Sequence, residues 1–291
     1  MSRRRSTPFC PNMALFEIVP NLSEGRDATT IDAAVDAVRA TGAHVLHRTS
    51  DPVHHRSVLT IAGSGGQVLD AAVAIAGVAV ERIDLRGHEG VHPRIGALDV
   101  LPFVPLRDAT LDDAVALAHE AGTRIWQRYR VPSFFYGAAA RHPERKLLAD
   151  VRAGEFEGLD LRFGRLPPDV GEIPKHDRAG AVAVGARALL VAFNVELETG
   201  DLALAKLIAR NLRESSGGLH TLRALGLRLS GGVVQVSLNV TDVEATPLYR
   251  VVESIARLAA KSGVTIRRSE LIGLIPRAAV EASARYYLGT L

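Results

Sequence analysis

The chain has 291 residues, of which 47% are hydrophobic and 23% charged, and its formal net charge is +3. This composition is typical of a soluble globular protein with one large domain or two domains of ordinary size. The positive excess lies in Arg3, Arg4 and Arg5, so that the rest of the chain is balanced in charge. We therefore expect neither a nucleic-acid surface nor a membrane surface.

Residues 1–12 are predicted to form a disordered tail, and Met13 begins the patterned chain. The tail lacks an apolar segment of signal-peptide length, and no apolar run reaches the roughly 20 residues that a membrane span needs. The single Cys10 excludes an intramolecular disulfide, and its position in the tail argues against a catalytic thiol. These features predict a cytoplasmic protein.

The spacing of apolar residues then predicts strand, helix, strand, strand, helix and strand in that order. The strands are expected at 15–19, 43–48, 57–62 and 98–104, and the helices at 30–41 and 67–83. This is the order of a split βαβ, or ferredoxin-like, unit. Pro102 cannot donate a backbone hydrogen bond, which favours an edge or bulge position for the fourth strand.

A helix at 112–129, a strand at 132–136 and a short helix at 144–151 are predicted to extend this unit. Residues 153–178 have little periodicity and read as a linker. The pattern then recurs, with strands at 186–195, 222–229, 232–239 and 264–272 and helices at 202–213, 246–261 and 277–287. We therefore predict an α/β (α+β) fold of two tandem ferredoxin-like subdomains, 13–178 and 179–291, with a ligand-binding cleft between them.

The segment 84–99 concentrates titratable side chains on a backbone rich in glycine and proline. That combination is typical of a site loop. His92 lies in this segment, and a positioned imidazole can accept and return a proton within one catalytic cycle because it titrates near neutrality. A structural histidine with satisfied hydrogen bonds is the alternative.

The letters of residues 88–92 also match the H-E-x-x-H motif of zinc proteases. That chemistry requires both histidines on one face of a helix. Gly87, Gly90 and Pro93 disfavour a helix there, because glycine and proline are the poorest helix formers. We therefore expect no metal at this motif.

A second polar cluster comprises Asp51, His54, His55 and Arg56, between two predicted strands. It is either a solvated hairpin tip or part of a site. His54 and His55 would not share a metal ion, because adjacent strand residues point to opposite faces. The planar guanidinium of Arg56 suits a carboxylate, which it can bind through two hydrogen bonds. The following Gly-Ser-Gly-Gly at 63–66 lacks a phosphate-binding pattern and is predicted to be a mobile turn.

Four segments resemble the glutamate formimidoyltransferase family. They are VPNLSEG at 19–25, HPRIGALDV at 92–100, GAR at 185–187 with AFN at 192–194, and SELIGLIP at 269–276. The resemblance extends from residue 13 to about residue 287. It implies an enzyme that transfers a formimidoyl group between N-formimidoyl-L-glutamate and the co-substrate tetrahydrofolate, in histidine breakdown and one-carbon metabolism.

The resemblance also implies two ferredoxin-like subdomains, a homodimer, small-molecule partners and His92 as the catalytic acid and base. The implied folate-binding residues are Gly171, Pro174, Lys175, His176, Asp177, Arg178, Gly180, Gly217, Leu219, His220, Arg223 and Gly226. Arg56, Arg94 and Arg187 are candidates for the substrate carboxylates. Two alternatives stay open: a folate-dependent glutamate formyltransferase, and a non-catalytic folate-binding protein of the same fold.

Overall fold

The computed structural model describes residues 13–52, 54–90, 93–172, 174–229 and 231–290. The chain is a mixed α/β protein with two β-sheets, and it divides into two compact units between Ala188 and Leu189. In the described part of the chain, no helix is long and apolar enough to cross a membrane.

The first unit contains β1 (Leu15–Ile18), β2 (Asn21–Leu22), α1 (Ala28–Ala40), β3 (His44–Asp51), β4 (Arg56–Ser64), α2 (Gly65–Arg82), β5 (Leu98–Arg107), α3 (Leu111–Tyr129), β6 (Ser133–Gly137), α4 (Leu148–Arg152), α5 (Leu159–Phe163) and β7 (Val182–Ala186). Its strands lie in the order β3-β4-β1-β5-β7-β6, and β2 continues the line of β1 between β4 and β5. The core beneath this sheet includes Ile18, Phe103 and Phe134, which are completely buried.

The boundary between the units falls later than the predicted division at 178/179. The reason is β7, which pairs in parallel with β5 on one side and with β6 on the other. Residues 182–186 therefore belong to the first sheet. The predicted linker at 153–178 contains α5. The predicted strand at 186–195 overlaps the next strand of the chain, Val191–Leu197, whereas β7 was not predicted.

The junction of β4 and α2 also differs from its prediction as a mobile turn. Ser64 ends the strand and caps the helix that begins at the next residue. Its hydroxyl accepts a hydrogen bond from the Gln67 backbone, and the Gln67 side chain accepts one from the Ser64 backbone. This reciprocal capping box satisfies backbone donors that a helix start leaves free, so the strand passes directly into the helix.

Pro102 lies in β5, which is an interior strand and not the edge strand predicted from that proline. The neighbouring chain is interrupted opposite it, since β1 ends at Ile18 and β2 begins at Asn21. There the Val19 backbone N–H donates to the Pro102 carbonyl. A break in the adjacent strand thus accommodates a residue that has no N–H of its own.

The second unit contains β8 (Val191–Leu197), α6 (Leu202–Leu212), β9 (Leu222–Arg228), β10 (Val234–Val240), α7 (Leu248–Ala260), β11 (Ile266–Ile272) and α8 (Arg277–Leu288). The strands form an antiparallel sheet in the order β11-β8-β10-β9. Its inward-facing residues, such as Val236 and Leu238, join Ile208 and Ile255 of two helices in a separate hydrophobic core.

Candidate active site

The segment 84–99 connects α2 to β5 in the first unit. It begins with a short 3₁₀ helix, Leu85–Gly87, which Asp84 caps by accepting from the Arg86 backbone N–H at 3.1 Å. From His88 to Gly90 the backbone is not helical. His92, the predicted acid and base, lies outside the described residues, as does Val91. Residues 88–90, the described part of the H-E-x-x-H match, are therefore not on the helix that the zinc motif requires.

Four residues that contact one another in and around the site segment form a histidine cluster: Glu24, His55, His88 and Arg94. The rings of His55 and His88 stack with their centroids 4.2 Å apart and 5° between their planes. The Nε2 atom of His55 contacts the Glu24 carboxylate at 3.1 Å, and its Nδ1 atom lies 3.1 Å from the Glu89 carbonyl. The cluster therefore ties the site segment to the loop that follows β2.

The hydrogen bonds of His88 define its protonation state. Its Nδ1 atom accepts from Nε of Arg94 at 3.2 Å, and its Nε2 atom lies 3.2 Å from the His55 carbonyl oxygen. A carbonyl can only accept, so the proton belongs on Nε2 and the ring is neutral. Burial lowers the pKa of His88, with the positive charge of Arg94 acting in the same direction.

Arg94, a predicted carboxylate ligand, already uses all five of its N–H donors. Besides Nε on His88, its Nη1 atom donates to Glu155 and Glu157 at 3.0 Å each. Its Nη2 atom donates to Glu157 at 2.7 Å and to the His88 carbonyl at 3.2 Å. With two carboxylates and no spare donor, this guanidinium is built to hold the site segment and does not offer a free binding group.

A second group, the arginine cluster, consists of Arg56, Asp99, Tyr136, Arg152 and Arg187. Asp99 is its centre and is 1% exposed. One carboxylate oxygen accepts from the Ile95 backbone N–H at 2.9 Å, and the other accepts from Nη1 of Arg56 at 3.4 Å and from Nη2 of Arg152. Asp99 thus joins the turn after His92 to two guanidinium groups.

Of the remaining groups of the arginine cluster, Tyr136 is buried and the three arginines are largely buried. Nε of Arg56 donates to Asn21 at 3.0 Å, and burial lowers the pKa of Arg56 to about 10, so it stays charged at neutral pH. Burial also raises the pKa of Tyr136 to about 12, which keeps its hydroxyl protonated. Arg187 lies close enough to Tyr136 and Glu17 to interact with both electrostatically, and burial lowers its pKa.

Comparison with known proteins decides the family. The model described as the N-terminal subdomain of the formiminotransferase domain matches residues 15–187, and the model described as the formiminotransferase domain matches residues 192–290. The chain belongs to the formiminotransferase family.

Three relatives illustrate the similarity. The glutamate formimidoyltransferase of Streptococcus pyogenes serotype M1 is 40% identical over 94% of this chain and 93% of its own length. The glutamate formimidoyltransferase of Thermoplasma acidophilum is 38% identical over 95% of this chain and 93% of its own. The formimidoyltransferase-cyclodeaminase of Rattus norvegicus is 38% identical over 94% of this chain, which corresponds to 52% of that longer protein.

The first predicted folate stretch, 171–180, lies against the site segment of this formiminotransferase domain. Gly180 pairs with Gly96, and the Ala97 backbone N–H donates to the Ala179 carbonyl at 3.0 Å. Gly180 has a φ of +67°, and a Cβ there would meet the Ile95 carbonyl oxygen at 2.1 Å. Its glycine is therefore required by the close approach of two backbones.

Three side chains of the same stretch contact other groups of the protein. Lys175 pairs with Asp160 at 2.6 Å, and His176 accepts from the Ala179 backbone N–H at 3.1 Å. Arg178 pairs with Asp84 at 3.3 Å. Pro174 and Asp177 are exposed, and a Cβ on Gly171 would meet the ring of Trp126 at 2.9 Å.

The second predicted folate stretch, 217–226, lies in the second unit around the start of β9. Gly217 has a φ of +80° and ends a 3₁₀ helix, and the Leu219 backbone N–H donates to the Leu212 carbonyl. His220 pairs with Glu214, and Arg223 is exposed on β9. A Cβ on Gly226 would meet the Lys206 backbone nitrogen at 2.4 Å, so this glycine allows α6 to pack on the strand.

Asn21, which accepts from Arg56, and four members of the two clusters were not singled out from the sequence: Glu24, Asp99, Tyr136 and Arg152. Asn21, Glu24 and Asp99 lie in the segments that carry the family resemblance, and this was a usable signal. Tyr136 and Arg152 belong to β6 and α4, which nothing in the sequence linked to the site.

Proposed function

We propose that this protein transfers a formimidoyl group between N-formimidoyl-L-glutamate and tetrahydrofolate. The observation that carries the proposal is 40% identity to a glutamate formimidoyltransferase across 94% of the chain. The arginine cluster supports it, because the donor brings two carboxylates and buried guanidinium groups are well suited to bind them.

In the proposed mechanism, neutral His92 accepts the proton of the folate amine as its nitrogen attacks the formimidoyl carbon. The carbon–nitrogen bond to glutamate then breaks, and the imidazolium returns the proton to the departing glutamate nitrogen. One group that acts as base and then as acid contributes roughly 10²–10⁴-fold to the rate. The histidine cluster and Asp99 hold the segment on both sides of His92, which would fix the position of its ring.

The direct test is a spectrophotometric assay with formimidoylglutamate and tetrahydrofolate. We expect turnover by the wild type and a loss of roughly 10²–10⁴-fold in kcat for His92→Ala. His47→Ala, in β3 and outside both clusters, is the matched control and should keep its activity. A folded His92→Ala protein with wild-type turnover would contradict the role of His92.

The same assay separates the two alternatives. A glutamate formyltransferase would use N-formyl-L-glutamate in preference to the formimidoyl donor. A folate-binding protein without turnover would bind tetrahydrofolate in calorimetry and form no product with either donor. Either result would replace the proposed activity.

The architecture and setting of the protein complete the proposal. Each unit begins with the element order βαββαβ, if β1 and β2 are counted as one interrupted strand. The strands β3-β4-β1-β5 and β9-β10-β8-β11 lie in the same spatial order, which supports two ferredoxin-like subdomains. We further propose that residues 171–180 and 217–226 contribute to folate binding, and that the protein is a cytoplasmic homodimer of histidine degradation. Light scattering of the purified protein tests the oligomeric state.

A further inference from the structure

Arg152 is the member of the arginine cluster whose hydrogen bonding is incomplete. It ends α4, and its side chain is 12% exposed. Nη2 donates to Asp99, while the buried Nε atom has no hydrogen-bond partner in the described part of the chain. A buried N–H without an acceptor is unfavourable, and a ligand oxygen would satisfy it.

The charges around Arg152 favour an anion as that ligand. Tyr136 is surrounded by the guanidinium groups of Arg56, Arg152 and Arg187 and by the carboxylate of Asp99. Among these groups, positive charges outnumber negative ones. Glu17 faces Arg187, but burial raises the pKa of Glu17 and so disfavours its charged form. A buried excess of positive charge is stabilised by an anion of matching size.

The other arginines near the site are less available. Arg94 has no donor left, as described above. Arg56 directs Nε and Nη2 to Asn21 and Nη1 to Asp99. Arg152 alone among these three combines a buried guanidinium with an unsatisfied N–H, within the part of the chain that the structure describes.

We propose that Arg152 is a specificity-determining residue that binds one carboxylate of the glutamyl donor. Arg187, which interacts electrostatically with Tyr136, is then the candidate for the second carboxylate. This inference rests on the proposed function, since it assigns a substrate group to the same site. It predicts that Arg152 discriminates a dicarboxylate donor from one with a single carboxylate.

The test compares formimidoyl-L-glutamate with formimidoylglycine as donors, using Arg152→Gln and Arg152→Lys. For Arg152→Gln we expect KM for formimidoylglutamate to rise about 10- to 100-fold, as for a lost charged hydrogen bond. The value of kcat and the KM for tetrahydrofolate should change little. The preference for the glutamate donor should fall by the same factor, and Arg152→Lys should restore part of it.

Arg124→Gln is the matched control, because Arg124 pairs with Asp70 and Glu120 on the exposed faces of α2 and α3. It should leave the donor preference unchanged. Equal losses with both donors in Arg152→Gln, together with a lower melting temperature, would overturn the proposal and leave Arg152 a structural partner of Asp99.

Calorimetry separates this inference from the proposed activity. Glutarate and acetate are titrated into the wild type and Arg152→Gln in the absence of folate. The wild type could bind glutarate more tightly than acetate, and Arg152→Gln could lose that preference, while formimidoylglutamate is not turned over. That result would support the carboxylate site and contradict the proposed transferase activity. If Arg152→Gln keeps the wild-type preference for glutarate, the assignment of Arg152 is wrong.

Discussion

The histidine cluster and the arginine cluster both include residues of the segment 84–99, but they use their arginines differently. In the histidine cluster, Arg94 pairs with the carboxylates of Glu155 and Glu157 and donates every N–H to a group of the protein. In the arginine cluster, Asp99 is shared by Arg56 and Arg152, and one buried N–H is left over. A saturated arginine positions its neighbours, whereas one with a spare donor and excess charge can bind a ligand.

The two clusters are joined at consecutive residues. His55 turns toward Glu24 and His88, and Arg56 turns toward Asn21 and Asp99. His55 adopts a φ of +50°, which is uncommon for a residue with a side chain. This backbone conformation at the start of β4 sends adjacent side chains into different clusters. Local strain at this point is consistent with a functional site.

Removing the charge of Asp99 should have the largest effect. Asp99→Asn leaves two guanidinium groups without their shared carboxylate, and breaking a buried ion pair costs about 3–5 kcal/mol. We expect the free energy of unfolding, measured by urea denaturation, to fall by that order. The double variant Asp99→Asn/Arg152→Gln should recover part of the loss, since it removes one unpaired charge. A single variant as stable as the wild type would show that the cluster is not coupled through Asp99.

Arg94→Gln should have a smaller effect, and of another kind than Arg152→Gln. Arg94 holds the ring and the carbonyl of His88, four residues before His92. Its loss should therefore misplace the proton-transfer group and lower kcat by about 10-fold, the effect of about 1.4 kcal/mol in the barrier. KM for formimidoylglutamate should change little. Steady-state kinetics on the two variants side by side would then separate positioning from binding. A raised donor KM with normal kcat in Arg94→Gln would remove the contrast between the clusters.

The sequence predicted the site segment but not which arginines near it position other groups and which can bind a ligand. Charge type marked Arg94 as a carboxylate ligand, yet its partners Glu155 and Glu157 come from the loop between α4 and α5. Arg152 was not selected, because its place in the site depends on the packing of α4 against Asp99, which the sequence does not show. Local pattern identifies residue types, whereas tertiary packing decides which donors remain free.

The fold shows the same limit. Apolar spacing located most helices and strands, such as α3 and β10, because a buried face requires apolar residues at regular intervals in the sequence. It missed β7, because both faces of that short strand are buried and its small apolar residues show no periodicity. It also misjudged Pro102, because the break between β1 and β2 that accommodates it is a property of the neighbouring chain.

The smallest expected effect concerns pH and the histidine cluster. Burial holds the pKa of His88 below its ordinary value of 6.5, so the unfolded chain binds more protons than the folded one as pH falls through that value. The stability contributed by the neutral ring is therefore fully present above pH 6.5 and is lost as pH falls through the lowered pKa of the folded state.

His88→Gln should give a flatter dependence of unfolding free energy on pH than the wild type, and His220→Gln, whose ring is exposed, should not. Arg152→Gln leaves the histidine cluster intact and should keep the wild-type slope. An equal change of slope in the His88 and Arg152 variants would mean that the two clusters respond to protons as one unit.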